Sequence, residues 1–226
     1  SLQNMFSGCS SLKEIPSLNT GAVTNMTYMF ESCGSLKAIP MLNTSNLTNT
    51  SYMFKGCRSL TTIPLMDFSK VTSVESMFYE CSSLREIPNF NFSSVVNNQW
   101  YVYGLFDSCH SLTKVGNLVF TKLTSIGPMF RDCHSLQEIG NIDFSAVTDT
   151  NLSNAFNAAQ SLAKCGISGL KQTFSIANGS LPATELNRIF TNLPTVTGQT
   201  ITVTGNPGAV TCDTTIATAR GWTVSR

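Results

Sequence analysis

The sequence predicts a repeat solenoid: short parallel β-strands stacked rung on rung, about 24 residues per rung, closed by a small α/β cap. Three observations predict it. An apolar-aromatic pair recurs at Met5-Phe6, Met29-Phe30, Met53-Phe54, Met77-Phe78, Leu105-Phe106, Met129-Phe130 and Ala155-Phe156. Cys9, Cys33, Cys57 and Cys81 are spaced by 24 residues, as are Cys109 and Cys133, so cysteine fills one slot of a repeat. The pattern then stops after Cys165 and helical and strand periodicities follow it.

Each rung reads C-x-S-L-x-x-I-P and closes on V-T-x-x-x-x-M-F, in seven copies over residues 1–165; Ala159 takes the Cys slot in the last. A unit of this length cannot bury its own apolar slots, and stacking buries them continuously. Those slots are Leu12, Leu36, Leu60, Leu84, Leu112, Leu136 and Leu162, then Ile15, Ile39, Ile63, Ile87, Val115, Ile139 and Cys165. Strands such as 12–16 are expected to pair from rung to rung at about 4.8 Å. Pro16, Pro40, Pro64 and Pro88 lack an amide donor and belong at strand ends; Gly116, Gly140 and Gly166 replace them later. Ser11, Ser35, Ser59, Ser83, Ser111, Ser135 and Ser161 precede the Leu, where a hydroxyl is expected to bond local backbone at a bend. The Asn/Asp slot (Asn19, Asn43, Asp67, Asn91, Asp143) reads as side-chain-capped turns rather than a calcium ladder, because most members are neutral.

The cap is expected over residues 166–226, packed on the last rung and shielding its open edge. Gly179-Ser180-Leu181-Pro182 reads as a helix start with Ser available for capping. Leu186, Ile189, Phe190 and Leu193 follow on one helical face, and Pro194 ends it. Gln199–Thr204 alternates as a strand, Asp213 is placed to cap a short helix, and Trp222-Thr223-Val224 reads as a last strand.

Composition excludes several functions. Charged residues are 12% of 226, the formal net charge is +1, and Ser, Thr and Asn number 74. Such a surface is coated with hydroxyls and amides, and predicts no nucleic-acid partner and no membrane insertion. No nucleophile elbow, P-loop, dinucleotide fingerprint or H-E-x-x-H is present, so no enzyme and no cofactor is expected. Cys109-His110 and Cys133-His134 would lie on adjacent rungs, but the same Cys slot recurs without His; it reads as packing rather than a zinc site. Free thiols are expected for the same reason. Glu31 with Lys55, and Asp107 with Arg131, are expected to pair across rungs at exposed positions.

The C-x-S-L-x-x-I-P core closing on MF-x-x-C resembles the BspA-like leucine-rich repeats. It is similar in particular to the variant carrying V-T-x-M-x-x-M-F, found in surface proteins of Bacteroides-type bacteria, mycoplasmas and some protists; similar repeats occur in phage tail proteins. The resemblance covers roughly residues 1–165. It implies a leucine-rich-repeat solenoid used for adhesion or binding, on a virion tail or at the cell surface, and it transfers no catalytic residue.

One irregularity marks a candidate site. Ser69 to Phe78 spans ten residues, whereas the matching Ser93 to Phe106 spans fourteen. The extra residues fall within Asn97–Tyr103, and insertions in repeat arrays map to loops, often on the binding face. Asn98, Gln99, Trp100, Tyr101 and Tyr103 offer flat aromatic faces and amides that suit a sugar ring. The alternative is that these rings plug the bulge. Tyr28 and Tyr52 share a slot on adjacent rungs and form either a second aromatic step or core packing. The expected partners are a cell-surface glycan or protein, an upstream domain or repeat covering the first rung, and further copies in an oligomer or virion. The alternative function is a structural spacer with no glycan ligand.

Overall fold

The computed structural model describes residues 1–96, 102–148, 152, 155–156 and 159–226. The chain is a solenoid of short parallel strands. β1 (Glu86–Ile87), β3 (Lys114–Val115), β5 (Glu138–Asp143) and β6 (Lys164–Ser168) form one sheet in that order. β2 (Phe90–Asn91) and β4 (Leu118–Val119) form a second, parallel pair. Ile87, Val115, Ile139 and Cys165 stand in register, as their shared slot requires. The last strand runs to Ser168, three residues past the boundary expected between repeats and cap.

The ladder is weaker in the first three rungs than expected. No strand forms over residues 12–16; single bonds link the rungs there, such as Thr61 N to Lys37 O (3.1 Å) and Arg85 N to Thr61 O (3.2 Å). The cause is the Pro/Gly slot. Proline closes the strand at once, and β1 ends directly before Pro88. Gly116 restores the donor, and its N–H bonds Ile87 O at 2.8 Å. The glycine corners also pack tighter: a Cβ on Gly140 would lie 2.6 Å from the Gly116 carbonyl carbon.

The core is built from ladders of like side chains. Phe6, Phe30, Phe54, Phe78, Phe106, Phe130 and Phe156 stack with centroids 5.5 to 5.8 Å apart and planes within 18°. The cysteine slot has a use beyond packing. Cys57 Sγ donates to Phe30 O at 3.0 Å, and Cys33, Cys81, Cys109 and Cys133 donate to the corresponding Phe carbonyls at 3.1 Å. A small apolar side chain with one weak donor suits a buried site facing one carbonyl. All eight cysteines are free thiols. Cys109 and Cys133 are fully buried, while His110 and His134 are exposed and stack on each other at 5.6 Å; the four groups do not converge.

The turn slots behave in two ways. The side chains of Asn43, Asp67, Asn91 and Asp143 each accept the N–H two residues on, at 2.9 to 3.2 Å, as capped turns should. The Ser slot differs from expectation. Among the described residues only the Ser161 hydroxyl of that slot is bonded, and to His134 O across the rungs. The others are at least partly exposed and open to water.

The cap runs β7 (Phe174–Ser175), α1 (Ala183–Thr191), β8 (Gln199–Thr202), α2 (Thr215–Thr218) and β9 (Trp222–Ser225), with the three strands parallel and in that order. α1 buries Leu186, Ile189 and Phe190. Its N-cap is Pro182, and Ser180 instead donates to Gln160 O (3.1 Å), tying the cap to the repeats. Asp213 accepts Thr215 N at 3.0 Å at the start of α2. The edge of β6 is closed by side chains. Glu185 accepts Cys165 N at 2.8 Å, and Arg188 donates to Cys165 O at 2.8 Å, while the two are paired with each other. A helix thereby supplies the donor and acceptor that a next strand would have supplied.

No helix among the described residues is long and apolar enough to cross a membrane.

Candidate functional site

The turn before each Met-Phe pair forms one face of the solenoid. Asn25 accepts Thr27 N (2.8 Å) and Asn49 accepts Ser51 N (2.9 Å), which bends the chain. The next residue donates to the following rung: Asn4 N to Thr27 O, Tyr28 N to Ser51 O, Tyr52 N to Glu75 O, and Ser76 N to Tyr103 O, at 2.8 to 3.1 Å. One column of bonds therefore aligns Asn4, Tyr28, Tyr52 and Ser76. It places Tyr103 in the slot of Glu75, at the described end of the insertion.

This slot demands left-handed backbone. φ is 60° at Asn4, 58° at Tyr28, 59° at Tyr52, 48° at Ser76 and 63° at Gly104. Asn, Ser and Gly tolerate it; a tyrosine there costs roughly 1–2 kcal/mol. Tyr28 and Tyr52 accept that cost and stack face to face, centroids 4.6 Å apart and planes 2° apart. Both are half-buried.

Charged groups border the step. The Tyr52 phenol donates to the Glu75 carboxylate, and Lys55 Nζ lies 5.6 Å from the Tyr52 ring centre. Lys55 also pairs with Glu31 at 3.4 Å, and Ser7 donates to Glu31 at 3.3 Å. Burial, reinforced by the Glu75 carboxylate, raises the Tyr52 phenol above its ordinary value and keeps it a donor. Further along, Tyr103 is 38% exposed and its ring faces Gly127, where a Cβ would lie 3.3 Å away. The predicted Asp107–Arg131 pair forms here, but its carboxylate is buried, not exposed. Burial comes first among the causes that raise the Tyr79 phenol too, with Glu80 and Asp107 beside it.

Of the residues singled out in the sequence, Tyr28 and Tyr52 come together and Tyr103 lies on the same column. Asn98, Gln99, Trp100 and Tyr101 lie outside the described residues. Sequence reasoning missed Glu75 and Tyr79. The signal for Glu75 was positional: it occupies the insertion's own slot one rung earlier. Tyr79 was hidden inside a slot read only for its alternating charge.

A family described as "Mycoplasma protein of unknown function, DUF285" matches residues 1–115 and again residues 62–172. No curated protein matches the chain. The matched spans overlap within the array, as a profile of repeats does when it can start on more than one rung, and the second ends between β6 and β7. Repeat array and matched spans coincide over most of the chain, which thus belongs to the DUF285 family.

Proposed function

We propose that this chain is a non-enzymatic binding module of the BspA-like leucine-rich-repeat type, working in adhesion or receptor binding on a bacterial surface protein or phage tail. Its turn face recognises a cell-surface glycan or protein. The observation that carries the reading is the Tyr28–Tyr52 stack on left-handed backbone, because strain kept at a half-exposed position points to use rather than stability. A tyrosine face takes the C–H side of a sugar, and Glu31, Glu75 and Lys55 can meet its hydroxyls. The insertion brings further aromatic and amide side chains to the sequence, Trp100 and Tyr101 among them, for the same ligand. Burial pushes the Cys33 thiol up to about 11 and the Cys165 thiol up to about 12, which supports packing over nucleophilic roles for the repeat thiols.

A second reading, a spacer or assembly subunit, is favoured by Met41 and Leu65. They are 63% and 62% exposed in one slot on adjacent rungs, an apolar strip suited to a neighbouring protein.

The test is binding of the purified chain to a glycan panel and to whole bacterial cells. Two variants accompany it: Tyr28→Asn with Tyr52→Asn, and Trp100→Ala with Tyr101→Ala and Tyr103→Ala. Asparagine suits the slot, as Asn4 shows, so relief of backbone strain offsets the lost stacking of about 0.5–1.5 kcal/mol. The first variant is expected to keep its melting temperature within a few degrees and to lose at least tenfold in affinity. A folded wild type that binds neither glycans nor cells overturns the proposal in favour of the spacer.

A further inference from the structure

We infer that the cleft between the repeats and α1 is a second binding site, for a neutral saccharide unit. It shares no residue with the turn column. The cleft is an open groove of about 490 Å³ between β4, β5 and α1, within the usual range for small-ligand sites.

Its origin is a broken ladder. Asn117 N donates to Asn89 Oδ1 at 2.7 Å, and Asn141 N donates to Asn117 Oδ1 at 2.7 Å. The next rung is one residue shorter at this corner: Ile139 pairs with Cys165, but Ile142 pairs with Ile167. Among the described residues no backbone N–H arrives at the Asn141 side chain, so the ladder ends here, beside the gap. The side-chain amides of Asn141 and of Asn192 at the end of α1 are exposed, have no hydrogen-bond partner within the protein among the described residues, and line the cleft, where they are open to a ligand.

The lining selects a neutral, hydroxyl-rich ligand. Its two charged members, Asp143 and Arg188, have opposite sign, and each is already engaged, Asp143 by Ser145 and Arg188 by Glu185. A net charge on the ligand would therefore find no uncompensated partner. Each amide offers a donor and an acceptor, the pairing that a sugar hydroxyl presents in return. Val119, 47% exposed on the wall, supplies an aliphatic surface for the ring's C–H side. Phe120 in the lining is buried and presents no open aromatic face, so affinity is expected in the millimolar range.

The experiment is a titration of the full chain, followed by amide NMR shifts. The probes are glucose, galactose, mannose, N-acetylglucosamine, cellobiose and lactose, with glucosamine and glucuronate as charged counterparts. At least one neutral sugar is expected to shift Val119, Asn141 and Asn192 saturably. Asn141→Ala and Asn192→Ala remove amides that hold no other protein group, so the fold stays; each should weaken binding about 3- to 10-fold. Tyr28→Asn with Tyr52→Asn should leave these shifts unchanged, which separates this site from the turn face. The inference fails if no neutral sugar gives saturable shifts there. It also fails if both alanine variants bind like wild type, or if a charged sugar binds tighter than its neutral counterpart.

Discussion

At the residue scale, each slot of the repeat is filled by what one local geometry tolerates. In the turn column the left-handed position takes Asn, Ser or Gly, and two tyrosines depart from that rule where the rings stack. Cysteine was legible as a packing residue from its period alone. Its bond to the carbonyl of the Phe on the previous rung was not, because that partner is 27 residues away and visible only once rungs are stacked. Burial of these thiols predicts a pH dependence. The folded Cys33 and Cys165 hold their protons up to about 11 and about 12, whereas thiols in the unfolded chain ionise near 8.5. Above that point the unfolded state carries fewer protons, so stability falls as pH rises. Denaturant midpoints are expected to be flat from pH 6 to 8 and to drop steadily between pH 9 and 11. A midpoint unchanged to pH 11 would show that the thiols titrate freely in the fold.

At the element scale, the cap helix closes the solenoid with side chains. The amphipathic face of α1 was readable from Leu186, Ile189 and Phe190. The opposite assignments, Glu185 and Arg188 as substitutes for a strand edge, depend on where the helix docks and left no sequence signal. Glu185→Ala strands the Cys165 N–H and leaves Arg188 without its partner. A cost of about 2–3 kcal/mol is expected, by the usual worth of hydrogen bonds to charged groups. Thermal melting should show it, together with faster hydrogen exchange at Cys165. Exchange at Cys165 as slow as in wild type would refute this role. The same scale explains the weak early ladder: proline removes a donor in four rungs and glycine returns it in three.

At the scale of the whole molecule, stability is carried by contacts between neighbouring rungs. Deleting residues 49–72, one full period, should therefore leave a folded, shorter solenoid with an unchanged cap and a lower melting temperature. Deleting residues 49–60 shifts every later slot by half a rung and should abolish cooperative unfolding; calorimetry distinguishes the two. Repetition made the fold legible, because seven copies of one pattern report the same buried slots seven times. The sequence by itself determined the solenoid, its period, the cap's two helices and last two strands, and the Asn/Asp turns, since all of these follow from local chemistry and spacing. Only the tertiary structure decided which side chains meet across rungs: the parallel tyrosines beside Glu75, the buried carboxylate of Asp107, and the cleft where the asparagine ladder ends. Those depend on register, and a single missing residue in one rung is enough to change it.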